Sequence, residues 1–170
     1  MRERYFSQHR RRTREFESYV AGAGGRLLHA ATLLTAELPD DNPRARRLLT
    51  AALAETYARW DRLRGEDPYD RTRQELAARF ARGAWRSHRP AIPGLPRPHA
   101  DEGLLARLTP QERLILVLRL HEGVAEEQTA ALVGLPTDRV RAICTRAIAT
   151  MRSTQPTPPA PAAPAPGVAT

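Results

Sequence analysis

The sequence predicts an all-α protein of two small helical domains joined by a proline-rich linker. Three observations predict it. Apolar residues recur at helical spacing through most of the chain, and no stretch alternates with the period of a strand. Helix start and stop signals bracket the periodic segments. Between them, residues 87–103, "SHRPAIPGLPRPHADEG", carry Pro90, Pro93, Pro96 and Pro98, which forbid a helix and favour an extended linker.

The elements follow in order. Residues 1–13 contain five arginines and no apolar run, which predicts a disordered basic arm and not a secretory leader. Residues 14–36 read as a helix weakened by Gly22, Gly24 and Gly25. "LPDDNP" at 38–43 is a turn, and Pro43 can open the next helix. Residues 43–64 place Leu49, Ala52, Leu53, Thr56, Trp60 and Leu63 on one face, and "GEDP" at 65–68 ends the run. A third helix over 69–88 turns Leu76, Phe80 and Trp85 inward. The domain organisation is therefore an arm at 1–13, a three-helix domain at 14–88, a linker at 89–103, a second domain at 104–153 and a Pro/Ala-rich disordered tail at 154–170.

The second domain has the sharper local signals. Thr109, Pro110 and Glu112 form an N-cap, first-turn proline and capping-box pattern, with Leu114, Val117, Leu118 and His121 facing inward. Helices over 125–133 and 137–152 follow, separated by Gly134, which suits a left-handed C-cap, and by Thr137 as N-cap. In the last helix Val140, Ile143, Cys144, Ala147, Ile148 and Met151 make one apolar stripe. The opposite side carries Asp138, Ala142, Thr145, Arg146 and Ala149, flanked by Arg139, Arg141 and Arg152. This is a helix-turn-helix pattern; the two readings are a DNA reader and a solvated amphipathic helix.

Charge favours the first. The 170 residues hold 27 Arg and Lys, all of them Arg, against 19 Asp and Glu, a net charge of +8 that suits a polyanionic partner. The excess lies in residues 1–100, and residues 137–152 form a local basic cluster of four Arg against one Asp. Cys144 is the single cysteine and sits on the apolar stripe, so no disulfide framework is expected and a reducing cytoplasm fits. No apolar run is long enough for a membrane span. His9, His29, His88, His99 and His121 are scattered without ligand spacing, and "GAGG" at 22–25 follows no strand. The sequence thus gives no catalytic or metal constellation and calls for no cofactor.

Four stretches, "FESYVAGAGGRLLHAATLLT", "ALAETYARWDRL", "LTPQERLILVLRLHEGVAEEQTAALVGLP" and "DRVRAICTRAIATMR", run from Phe16 to Arg152. Together they resemble the extracytoplasmic-function sigma factors of the sigma-70 family, in an actinobacterial branch. The last two are the most specific: a helix-turn-helix after L-x-P-x-x-R-x-x-L-x-L is similar to sigma region 4. The resemblance implies a non-enzymatic transcription-initiation subunit, with region 2 in the first domain and region 4 in the second. It implies two partners, promoter DNA and the RNA polymerase core. Region 2 would capture the −10 element as a single strand, through Arg79, Arg82, Trp85 and Arg86. Region 4 would hold the −35 duplex through Thr137, Arg139, Arg141, Thr145 and Arg146.

Departures from the family pattern cluster in the first domain. Where the family reads A-E-D-L-V-Q, residues 45–50 read "ARRLLT". Arg46, Arg47, Thr50, Ala51 and Ala54 fall on the face that meets a basic coiled coil of polymerase in the family, so the contact changes sign. Gln74, Glu75 and Arg79 replace polar residues of the −10 helix, and Ile143 stands where a basic residue is usual. Two other readings therefore stay open. One is a sigma-like DNA-binding regulator with altered polymerase contacts, working with an anti-sigma factor or a helper protein. The other is an interaction adaptor that uses its Ala-rich helix faces and Pro-rich tail.

Overall fold

The computed structural model describes residues 2–63, 65–87 and 103–153, with side chains from residue 8 onward and, in the middle stretch, up to residue 84. Among the described residues every regular element is helical. They are α1 (Arg2–Thr35), α2 (Pro43–Ala58), a 3₁₀ turn (Trp60–Arg62), α3 (Pro68–Ser87), α4 (Pro110–Leu116), a π turn (Val117–His121), α5 (Glu126–Val133) and α6 (Thr137–Arg152). No described helix is long and apolar enough to cross a membrane.

Helix α1 runs through both the expected arm and the three glycines. The end of the arm is held because Arg12 finds partners. Arg12 pairs with Asp61 at 3.0 Å, donates to the Tyr57 carbonyl and lies 4.3 Å over the Tyr57 ring. Phe16 then packs on Tyr57 and Trp60, with ring centroids 4.8 and 5.1 Å apart. These contacts continue the helix back beyond residue 14. Further along, Leu27, Ala30, Ala31 and Leu34 are buried, and that lateral packing carries the helix across Gly22, Gly24 and Gly25.

Helix α2 begins at Pro43, and its cap comes from outside the local sequence. Glu37 accepts from the Arg44 and Ala45 amides at 2.9 and 2.7 Å. Helices α2 and α3 run side by side with small residues between them. Thr56 and Thr72, both buried, hydrogen-bond at 2.9 Å, and Tyr19 of α1 donates to Thr72 at 2.7 Å. The expected helix over 43–64 stops at Ala58; Trp60 belongs to the 3₁₀ turn, and Leu63 is buried after it.

In the second half, α4 opens on the full capping box. Glu112 N–H donates to Thr109 Oγ1, and the Glu112 carboxylate accepts from the Thr109 amide at 3.0 Å. The helix widens into a π turn at Val117, which ends at His121, and Gly123 just beyond it takes φ +66°. Gly134 is left-handed, φ 68° and ψ 36°, and ends α5 as the sequence expects. Thr137 is the first residue of α6 and not its cap. The Pro136 carbonyl instead accepts from the Arg139 and Val140 amides at 3.0 and 3.1 Å.

The two halves share a core across the proline-rich linker. One buried cluster contains Leu27, Leu34 and Leu76 of the first half with Leu105, Leu108, Leu114 and Leu118 of the second. The prolines break the helix, but breaking a helix says nothing about whether the helices on either side have apolar faces left to share. Most of the linker at 89–103 and the tail at 154–170 lie outside the described residues.

Candidate nucleic-acid interface

The recognition helix α6 is built as its pattern implies. Val140 and Ile143 are buried against Ile115 of α4 and Ala130 of α5, Ala147 is buried in the larger cluster with Leu114 and Leu118, and Cys144, Ile148 and Met151 are half-buried. Burial pushes the Cys144 thiol up, which disfavours the thiolate at this half-buried position. On the far side Asp138, Arg139, Arg141, Ala142, Thr145, Arg146 and Ala149 are exposed, and Thr137 is half-buried at the helix start. The structure therefore brings Arg139, Arg141, Thr145 and Arg146 onto one accessible face.

Two of those arginines are held by acids that the sequence reading passed over. Arg141 pairs with Glu126 at 2.7 Å and with Asp138 at 3.4 Å. Arg146 Nε pairs with Glu112 Oε1 at 2.8 Å, so the α4 cap residue also orients a recognition-helix arginine. Burial alone would raise the Glu112 pKa. Arg146 and the amide and hydroxyl of Thr109 more than offset it, and the carboxyl is held below its ordinary range. Thr145 turns its hydroxyl back to the Arg141 carbonyl at 3.0 Å. The separation of 34 residues between Glu112 and Arg146 hides that pair from any local pattern.

The other predicted sites divide. On α2, Arg46, Arg47, Thr50 and Ala54 are exposed and Ala51 is half-buried, so the substituted face looks outward. Arg46 Nε donates to Asn42 Oδ1 at 2.9 Å. On α3, Arg79 is half-buried and braced by Glu75 at 2.8 Å and Glu55 at 3.5 Å, a tie between α3 and α2. Arg82 is exposed beside Glu75. The side chains of Trp85 and Arg86 lie outside the described residues. Among the described residues no His, Cys, Asp or Glu group is arranged to hold a metal ion.

A capped support helix, a glycine turn and an amphipathic helix with an exposed arginine face define a helix-turn-helix protein of the nucleic-acid-binding class. Residues 104–153 match the family model for sigma-70, region 4. The chain is 31% identical to an RNA polymerase sigma-E factor of Streptomyces coelicolor, over 81% of this chain and 84% of that protein. RNA polymerase sigma-E factors of Streptomyces avermitilis and Streptomyces antibioticus are each 29% identical over 81% of this chain and 83% of theirs. No solved structure matches the chain. The chain belongs to the sigma-70 family of RNA polymerase sigma factors, in the extracytoplasmic-function branch.

Proposed function

We propose that this chain is a promoter-recognition subunit of RNA polymerase, acting in the cytoplasm and without catalysis of its own. Region 4 holds the −35 duplex through α6. Region 2 takes the −10 strand at the C-terminal half of α3, with Arg82 as its accessible described arginine. The observation that carries the reading is the exposed face of Arg139, Arg141, Thr145 and Arg146 opposite the buried Val140, Ile143 and Ala147. Arginine forks suit both phosphates and the major-groove edge of guanine.

The test is DNA binding by the triple variant Arg139→Ala, Arg141→Ala, Arg146→Ala. Promoter affinity should collapse while helix content stays. If Arg141 reads a base, Arg141→Ala alone costs about 1–3 kcal/mol and flattens sequence preference. If it meets only phosphate, affinity falls uniformly and the salt slope drops by about one. Unchanged affinity of the triple variant rejects the site.

A second reading, a sigma-like regulator with altered polymerase contacts, draws on the exposed Arg46 and Arg47. On the family's surface these meet a basic partner. Charge-restoring Arg46→Glu with Arg47→Asp then strengthens association with core polymerase, most at low salt. If the same change weakens association, the arginines face an acidic surface, on polymerase or on a helper protein.

A further inference from the structure

The N-terminal end of α1 is used by neither reading face, yet it is basic and held in place. The helix begins at Arg2, well before Phe16, where the apolar spacing becomes dense. Over residues 8–16 it has two distinct sides. One side docks. Arg12 is tied to Asp61 and to the ring and carbonyl of Tyr57. Thr13 Oγ1 lies 3.2 Å from the Tyr57 hydroxyl, and Phe16 packs on Tyr57 and Trp60. The outward side carries Arg10, Arg11 and Arg14, all exposed, which line one shallow depression of about 330 Å³ together with Glu15. Arg11 pairs with Glu15 at 2.7 Å, whereas Arg10 and Arg14 pair with no acid among the described residues.

Folding does not call for this arrangement. Arg10 and Arg14 stand one turn apart, and like charges at that spacing destabilise a helix. The docking of Arg12, Thr13 and Phe16 keeps the helix formed against that repulsion. Between Gln8 and Phe16 four arginines stand against Glu15 alone, and Arg62 adds an exposed cation on the adjoining 3₁₀ turn; Glu17 closes the patch. The patch is also remote from both proposed reading faces. Tyr19 donates to the Pro68 carbonyl at 3.1 Å, so this end of α1 lies at the start of α3, and Arg82 is about 21 Å further along that helix at about 1.5 Å per residue. Toward region 4, Arg26 stands 3.7 Å from Glu122, and Arg14 lies about 18 Å back along α1 from Arg26. The chemistry of the patch selects its partner. A lipid surface takes a basic helix that has an apolar side to bury, and the apolar side of this stretch is already covered by Tyr57 and Trp60. A phosphate backbone needs only an accessible row of donors, which guanidinium forks supply.

We propose that the N-terminal end of α1 is a further nucleic-acid contact, a clamp on duplex-DNA phosphates made by Arg10, Arg14 and, once it leaves Glu15, Arg11. It stands outside both faces of the promoter-recognition reading and grips the backbone whatever the base sequence. Glu15 restrains it, because its carboxylate both occupies Arg11 and repels phosphate.

The test is binding of the full chain to a scrambled duplex of about 30 base pairs, titrated between about 50 and 200 mM salt. The probe carries no promoter, so its outcome does not hang on the promoter-recognition reading. Arg10→Gln, Arg11→Gln and Arg14→Gln together should weaken binding and lower the salt slope by about 1.8–2.7, at about 0.9 for each of two to three phosphates. The gap from the native chain should then narrow about 10- to 40-fold across that salt range. Glutamine keeps the helix propensity of arginine. Glu15→Gln should act in the opposite direction, tightening binding and steepening the slope by up to about one, which a poorly folded protein does not imitate. A triple variant with the native affinity and slope overturns the clamp, and so does a Glu15→Gln variant that binds no better. Vesicles of phosphatidylglycerol are the counter-probe. If the triple variant loses the vesicles and keeps the duplex, the arm is a membrane contact and the proposal falls.

Discussion

The two halves of this molecule reach the same secondary structure by different routes. The first half, proposed above as region 2, uses long helices of 34, 16 and 20 residues, held from the side. Its internal ties are lateral: Tyr19 to Thr72, Thr56 to Thr72, Arg12 to Asp61, Arg79 to Glu55. Region 4 starts with helices of 7 and 8 residues, too short to persist on propensity. It holds them at their ends, through the capping box at Thr109, the turn at Gly123 and the left-handed Gly134. A short helix exposes most of its backbone groups at its termini, so capping governs it; a long one is governed by its flank. The half proposed to read duplex DNA is therefore set by local chemistry. The half that carries Arg46 and Arg47 on its outer face is set by distant contacts, which leaves its outer residues freer to change.

The largest test of this contrast is in the cores. Leu76→Ala empties a site in the cluster shared by both halves, and Ile143→Ala empties one in the small cluster of Ile115, Ala130, Val140 and Ile143. Each should cost about 2–5 kcal/mol. The consequences should differ in extent. Leu76→Ala should lower hydrogen-exchange protection across α1–α4, whereas Ile143→Ala should lower it in α4–α6 and spare α1–α3. Equal loss everywhere from Ile143→Ala would mean the halves unfold as one unit.

The same contrast decides what could be read from sequence. The region 4 signals lie within three or four residues of each other, so Thr109 with Glu112, Gly134 and the α6 stripe were all legible. Thr137 was misplaced by one position, because a threonine after Pro136 looks like a cap whether or not the proline carbonyl already opens the helix. In region 2 the helices were legible from their apolar spacing, but what positions them was not. Tyr69 meets Glu122 and Tyr19 meets Thr72 across 53 residues, and His29 meets His121 across the two halves. Glu37 caps a helix that starts six residues later, beyond any capping-box spacing. The arginines of the first thirteen residues read the same whether solvated or, like Arg12, docked on Tyr57. The exposed residues of α6 were legible by pattern; the acids that hold two of them, Glu112 and Glu126, were not, since an acid's partner is fixed only once the helices cross.

A smaller effect should follow from the cap alone. Thr109→Ala removes the hydroxyl that accepts from the Glu112 amide and donates to its carboxylate. The loss should be about 1 kcal/mol, read as a lower midpoint in urea. It should also loosen Arg146, which loses its oriented partner, so promoter affinity should shift along with stability. Acid acts on the same group. The Glu112 carboxyl sits below its ordinary pKa in the folded state, so the stability it contributes is present above its unfolded pKa and is lost as pH falls through the folded value. Glu37, held low against burial by the Arg44 and Ala45 amides, behaves alike. Thr109→Ala should therefore shrink the acid sensitivity of region 4 and leave the Glu37-dependent part in region 2. A variant with unchanged acid response would show that the cap does not hold Glu112 low.

The smallest effect should come from α1. Gly22 and Gly25 sit mid-helix, and a Cβ on either would meet nothing within 4 Å. Their cost is conformational entropy in the unfolded chain, uncompensated by any close approach in the folded one. Gly22→Ala and Gly25→Ala should each stabilise by about 0.5–1 kcal/mol, additively, since neither side chain finds a partner. If long helices in region 2 are already fixed by lateral packing, that gain appears in the unfolding midpoint but not in native helix content. A rise in helix content by circular dichroism, seen before any denaturant is added, would show that α1 frays at its glycines. The contrast between a flank-held half and an end-held half would then fail for the longest helix in the molecule.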